Sequence, residues 1–155
     1  MEIRMAKPED IPGLIDLLLQ VGEVHHKIRP DLFRAGARKY DEKALTEILK
    51  DPNRPIFAAV EDGTLLGYCF CILEITRDNP VLMDQKSLYI DDLCVDENAR
   101  GKHVGASLYD FAMDYARKIG CDSLTLNVWC GNDSAMKFYE SRGLKQRNIH
   151  MEARL

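Results

Sequence analysis

The chain has 155 residues, enough for one domain with a sizeable core and too few for two ordinary ones. Its formal net charge of -4 at pH 7 argues against a dedicated nucleic-acid binder, which carries a strongly basic face. The five cysteines show neither a CxxC pair nor zinc-ligand spacing, so no disulfide framework and no metal site is expected.

In chain order, "MEIRMA" is predicted to start a strand, and "KPEDIPGLIDLLLQVGEV" sets Ile11, Leu14, Ile15, Leu18 and Leu19 at helical spacing. "HHKIRPDLFRAGARKY" lacks a period and reads as an irregular link, long enough to line a site, before Asp41 caps a second helix, "EKALTEILK". "PIFAAVEDGTLLGYCFCILEIT" holds two strands joined at Glu61-Asp62-Gly63-Thr64, a hairpin turn, with Cys69 and Cys71 on one face as small core residues. "KSLYIDDLCV" is a further strand. The helix after it carries a stripe of Leu108, Phe111, Ala112, Tyr115 and Ile119, and ends at Gly120. "DSLTLNVW" reads as a strand, "NDSAMKFYESR" as a capped helix closed by Gly143, and "LKQRNIHMEARL" as a polar final strand. The order β-α-α-β-β-β-α-β-α-β predicts a single α/β domain with a sheet of mixed, mainly antiparallel direction flanked by helices. No signal-peptide pattern opens it and no run approaches the roughly 18 apolar residues of a membrane span, so a cytoplasmic address and no membrane partner are expected.

The chemistry concentrates around "VDENARGKHVG". A strand ends there, the backbone turns through Gly101, and a helix begins with amides that lack intrahelical partners. Those amides and the helix dipole attract anions, phosphate above all, and Arg100 and Lys102 add positive charge. The stretch is neither a P-loop nor GxGxxG, so NTP or dinucleotide binding lacks its usual support.

Together, "YIDDLCV", the bend Arg100 to Gly105 and "NDSAMKFYESRGL" resemble the GNAT superfamily of acetyl-CoA-dependent N-acetyltransferases. The family bend is Arg or Gln, two variable residues, Gly, one variable residue, then Gly or Ala. Here it reads Arg100, Gly101, Lys102, His103, Val104, Gly105, with histidine in place of the middle glycine. Asn132, Ala135, Phe138, Tyr139 and Gly143 match the family's N-x-x-A-x-x-F-Y-x-x-x-G. The resemblance implies that the fourth and fifth strands splay and pantetheine lies between them, using backbone groups of Leu93, Cys94 and Val95. It implies that the pyrophosphate sits on amides 101 to 106, from Gly101 to Ala106; backbone donation at the departing position survives if His103 is already helical. Asn132 and Phe138 belong to the same cofactor side. Homodimers are common in the family.

Amide formation from a thioester needs a neutral amine, yet an alkylamine with a pKa of about 10 arrives protonated. A carboxylate can take that proton directly or through water. "YIDDLCV" resembles the "YLEDFFV" type of segment in polyamine N-acetyltransferases, where the first acid is the proposed base, which points to Asp91. Strict alternation would turn Asp92 to the opposite face, unless a bulge intervenes; both acids can equally form a surface pair or bind a substrate ammonium. A backbone amide of Leu93 or Cys94 suits the developing oxyanion, and Tyr139 suits protonation of the leaving thiolate. His25 and His26 fall in the irregular link, where they are candidates for acceptor contact. The expected activity is acetyl transfer from acetyl-CoA to a small-molecule or protein amine by direct attack, with a lean to a small cationic amine. A non-catalytic acyl-CoA sensor would keep the bend without needing Tyr139, and a nucleotide-binding regulator would prefer ATP or NAD to CoA.

Overall fold

The computed structural model describes residues 1 to 155. Five strands form one sheet in sequence order: β1 (Glu2–Met5), β2 (Ile56–Glu61), β3 (Thr64–Thr76), β4 (Gln85–Val95) and β5 (Ser123–Leu126). The first three pairings are antiparallel and β4 with β5 is parallel. Helices α1 (Ile11–Ile28) and α2 (Glu42–Ile48) lie on one face of the sheet, α3 (Val104–Lys118) on the other, and α4 (Asp133–Ser141) beyond β5 in sequence packs on the α3 side. No helix is long and apolar enough to cross a membrane.

Local sequence explains the start of α2 and the turn from β2 to β3. The carboxylate of Asp41 accepts from Ala44 N at 2.8 Å and starts α2. Asp62 and Gly63 both take positive φ, 50° and 77°, which turns β2 back into β3 with the twist that hairpins require. The apolar period of α1 puts Leu14, Leu17 and Leu18 under Tyr68 and Phe70, while Leu108, Tyr109 and Ala112 of α3 cover Phe57, Cys69 and Ile90. Each fully buried leucine contributes about 2 kcal/mol by removal from water. Cys69 and Cys71 sit in the α3-side core, as their spacing predicts.

Three elements depart from the sequence reading, one of them β5, which stops at Leu126 and leaves residues 127 to 129 as loop. Helix α1 continues to Ile28, so His25 and His26 stand on its last turns and only residues 29 to 41 form the link to α2. The residues "VHHKI" carry no helix breaker, and Pro30 is the first position that stops the helix. The polar final strand does not form. Leu144 N still donates to Tyr139 O, but residues 145 to 155 join no ladder and are tied down by ion pairs of Glu152 with Arg29 and of Arg154 with Asp31. β5 offers that segment only four residues of edge, and Ile149, Met151 and Leu155 are exposed where they lie.

Two irregularities in β4 position everything that follows. Its pairing with β5 ends at Ile90 opposite Leu126, yet β4 runs on to Val95. From Asp91 onward its outer backbone edge has no strand beside it. Opposite β3 the register slips at the same place: Cys71 faces Ile90 and Phe70 faces Asp92, which leaves Asp91 as an extra, bulged residue.

Candidate active site

The bulge changes which way the two carboxylates look. Strict alternation predicts opposite faces, but one inserted residue resets the count. Asp92, across from Phe70, accepts from Tyr68 Oη at 2.9 Å on the α1/α2 side. Asp91 accepts from Lys39 Nζ at 2.6 Å and from Tyr40 Oη at 3.0 Å, and Tyr40 stacks on Phe70 on that same side. Both acids therefore share one layer, at the mouth of the fork between β4 and β5.

Their surroundings differ. The Asp91 side chain is 11% exposed and holds an ion pair with Lys39. Burial pushes the Asp92 carboxyl up to about 6, against the pull of the Tyr68 hydroxyl and Lys39, while Asp91 adds to the rise. Burial also drives the Cys94 thiol up to about 12, so it stays protonated, with Sγ directed at Leu17 O in the α1-side core. A cysteine nucleophile has no support in this site.

The glycine-rich bend lies between the end of β4 and the start of α3. Gly101 and His103 have positive φ of 79° and 59°, and α3 starts at Val104. His103 is thus a left-handed N-cap and not a helical residue, and its amide still has no protein acceptor. Glycine suits it best, because a Cβ is unfavourable in this conformation. Replacing His103 with Gly should raise stability by ~1 kcal/mol in chemical denaturation, the usual scale of that strain. The amides from Gly101 to Ala106 donate to no protein acceptor, and Arg100 and Lys102 flank them. This run of free donors fits a phosphate group.

Behind the bend, a Cβ at Gly105 would sit 3.5 Å from Val95, 3.9 Å from Leu93 and 3.9 Å from Phe138. β4, α3 and α4 therefore meet at one apolar spot, with Leu93 and Val95 on the α3 side and Cys94 turned away from it. Asn132 caps α4, accepting from Ala135 N at 3.3 Å and Ser134 Oγ at 3.1 Å, so its side chain is already engaged. Tyr139 leaves α4 beside Phe138, with ring centroids 5.0 Å apart. Burial lifts its phenol far above the ordinary range, with Cys69 and Asp92 adding to the rise. It remains a proton donor at any physiological pH.

Profile comparison matches residues 22–144 to the acetyltransferase (GNAT) family. The chain belongs to that family. The uncharacterized N-acetyltransferase YhfO of Bacillus subtilis is 31% identical over 149 residues, covering 94% of this chain and 91% of its own. The thialysine N-epsilon-acetyltransferase of Bos taurus is 24% identical over 149 residues, 91% of this chain and 82% of its own. A crystal structure of a mutant BH1408 protein from Bacillus halodurans superposes with a TM-score of 0.95 at 29% identity, covering 100% of this chain and 99% of that one. The protein is thus an acyl-CoA-dependent N-acetyltransferase of GNAT type, with the mixed α/β fold expected from its sequence.

Several residues of the site carry no legible signal in the sequence. Lys39 and Tyr40 reach Asp91 from the link, and Arg54 Nη2 donates to Tyr40 Oη at 2.8 Å. Phe33 lies edge to face with Trp129, centroids 5.1 Å apart, and against His25 at 5.0 Å. His26 Nδ1 is 2.7 Å from Phe33 O, so it holds the link in place, while burial and the nearby Lys39 lower the His25 pKa. Gly22 lets the link close on α1, since a Cβ there would overlap Ala37 O.

Proposed function

We propose that the chain transfers the acetyl group of acetyl-CoA to the terminal primary amine of a small cationic acceptor, by direct attack. The observation that carries this reading is the bulge at Asp91, which turns two carboxylates to one side of the fork. Acetyl-CoA would bind with its pyrophosphate on the free amides between Gly101 and Ala106, near Arg100 and Lys102. Its pantetheine would lie along the unpaired edge of Leu93 to Val95, beside Phe138. The group supplies an activated acetyl carbon; the protein aligns it and moves protons.

An acceptor ammonium entering from the α1/α2 side meets Asp91, which binds the charge, and Asp92, whose raised pKa suits it to take the proton near neutral pH. The sequence reading gave the base role to Asp91. The ion pair with Lys39 favours it as the binder, and burial favours Asp92 as the base. Tyr139 belongs to the opposite layer, packed on the α3-side core, and would protonate the departing thiolate from there. Attack and departure then have separate proton routes, one on each face of the sheet. The bovine relative named for thialysine, an alkylamine acceptor, is in keeping with this class.

The deciding experiment is thiol release from acetyl-CoA across a panel of diamines, lysine analogues, aminosugars and peptides, with mass measurement of the product. Gain of one acetyl group on a small alkylamine is the expected result. Binding of CoA with no turnover on any amine would instead leave an acyl-CoA sensor. Replacing the exposed Lys102 with Glu should weaken CoA binding by about 10-fold or more in calorimetry while the fold holds, because it sets an anion beside the free amides where phosphate is to bind.

A further inference from the structure

The Lys39–Asp91 contact has a second consequence. Lys39 belongs to the link between α1 and α2, and its ammonium lies 2.6 Å from a carboxylate that is itself mostly shielded from water. Tyr40 Oη occupies the other oxygen of Asp91. The first β4 residue beyond the last β4–β5 pair thus carries a primary alkylammonium supplied by the chain itself. Lys39 is 46% exposed along its side chain, so it is free to leave and return. An ordinary exposed ion pair would gain little by this choice of partner, whereas this one lies beside a second carboxylate fit to deprotonate the amine.

We propose that Lys39 is an acceptor built into the chain, occupying the acceptor position against Asp91 and receiving an acetyl group from acetyl-CoA in cis. The proposal rests on the acceptor site described above. The ammonium gives one proton to the Asp92 carboxylate, and the neutral amine attacks the acetyl carbon. The C–N bond forms, the C–S bond breaks with its electron pair on sulfur, and the second amine proton ends on the CoA thiol. The proton on Asp92 passes to water. The modified side chain is neutral and no longer pairs with Asp91, so the site is then open to free amines. Before modification, a free cationic acceptor competes with Lys39 for the same carboxylate.

The test is incubation of the intact protein with acetyl-CoA and no other amine, followed by intact mass and peptide mapping. One acetyl group on Lys39 is expected, with a first-order rate that does not change with protein concentration. It should form at least about 10-fold faster than on Lys50, which pairs with Glu47 on the open surface and reports background chemistry, since a prealigned amine gains from proximity. Lys39→Arg should remove the added mass. A second readout needs no acetyl-CoA: Lys39 should resist reductive methylation relative to Lys50 and lose that protection when a diamine is added. Acetylation of Lys39 no faster than of Lys50, in protein that acetylates free amines, overturns the proposal and leaves the enzymatic reading intact. A rate that rises with protein concentration overturns the cis route. Absence of transfer to Lys39 and to every free amine removes the acetyltransferase acceptor site, and this inference with it.

Discussion

Asp92→Asn is expected to lower kcat by about 10²-fold or more near pH 7, the usual range for a lost general base, while the fold holds. Asparagine has the same shape and still accepts from Tyr68 Oη, so packing in the α1-side core is kept. The pH dependence is the sharper sign. Burial raises the Asp92 pKa to about 6, so wild-type activity should climb as pH rises through that value, when the carboxylate becomes free to take a proton. The variant should lack this limb and show only the slower rise that follows the acceptor's own deprotonation.

Stability should move the other way. A carboxyl whose folded pKa lies above its unfolded value of 3.8 favours the folded state below that value, and the advantage fades as pH rises through about 6. Above pH 6 the protein therefore bears a desolvated negative charge that asparagine removes, and the Asp92→Asn variant should unfold at an equal or higher temperature than wild type. A kinetic loss joined to retained stability marks a group strained for function. If Asp91→Asn produced the larger kcat defect and Asp92→Asn left the limb near pH 6 in place, the base would be Asp91, as the family segment suggests. If Asp91→Asn raises chiefly the acceptor KM, its role is binding.

The difference between these two residues also shows where sequence reasoning stops. Strand and helix periods locate β1 to β5 and α1 to α4 because core packing is a local, repeating demand on side-chain type. The bend and the Asn132 to Gly143 segment stand out because free amides, caps and left-handed turns restrict residue choice. The orientation of Asp91 and Asp92 hangs on one inserted residue opposite Cys71 and Phe70, and any alternating strand reads the same with or without it. Lys39, Tyr40 and Trp129 arrive from an aperiodic link and a loop, where no spacing connects them to β4. The His103 position is an intermediate case: its departure from glycine is visible in the sequence, while the positive φ that gives the departure meaning needs the backbone. The final strand fails for a complementary reason. Alternation in "NIHMEARL" satisfies the pattern, but a strand also needs an edge to pair with, and β5 ends after four residues.

Tyr139→Phe should lower kcat by about 10²-fold, with acetyl-CoA affinity and thermal stability close to wild type. The ring is retained, so the edge contacts with Phe138 and the tilted approach to Tyr109 survive, and only the hydroxyl is lost. Its burial first looks unhelpful, because a phenol pushed far above its usual range is a poor acid toward a thiolate in water. The comparison changes inside the site. Desolvation penalises every anion there, and a CoA thiolate leaving beside Tyr139 would have its own conjugate-acid pKa raised for the same reason, which would keep donor and acceptor matched. Burial also ensures that the phenol is protonated throughout the working range, so the pH profile of the wild type should show no descending limb from Tyr139 below pH 10. A donor with a better leaving group than CoA tests the assignment directly. With an activated aryl thioester, whose thiolate departs without a proton, Tyr139→Phe should recover most of its rate, and Asp92→Asn should not. Equal losses for both donors, or a large fall in stability without a kinetic effect, would return Tyr139 to the α3-side core as packing alone.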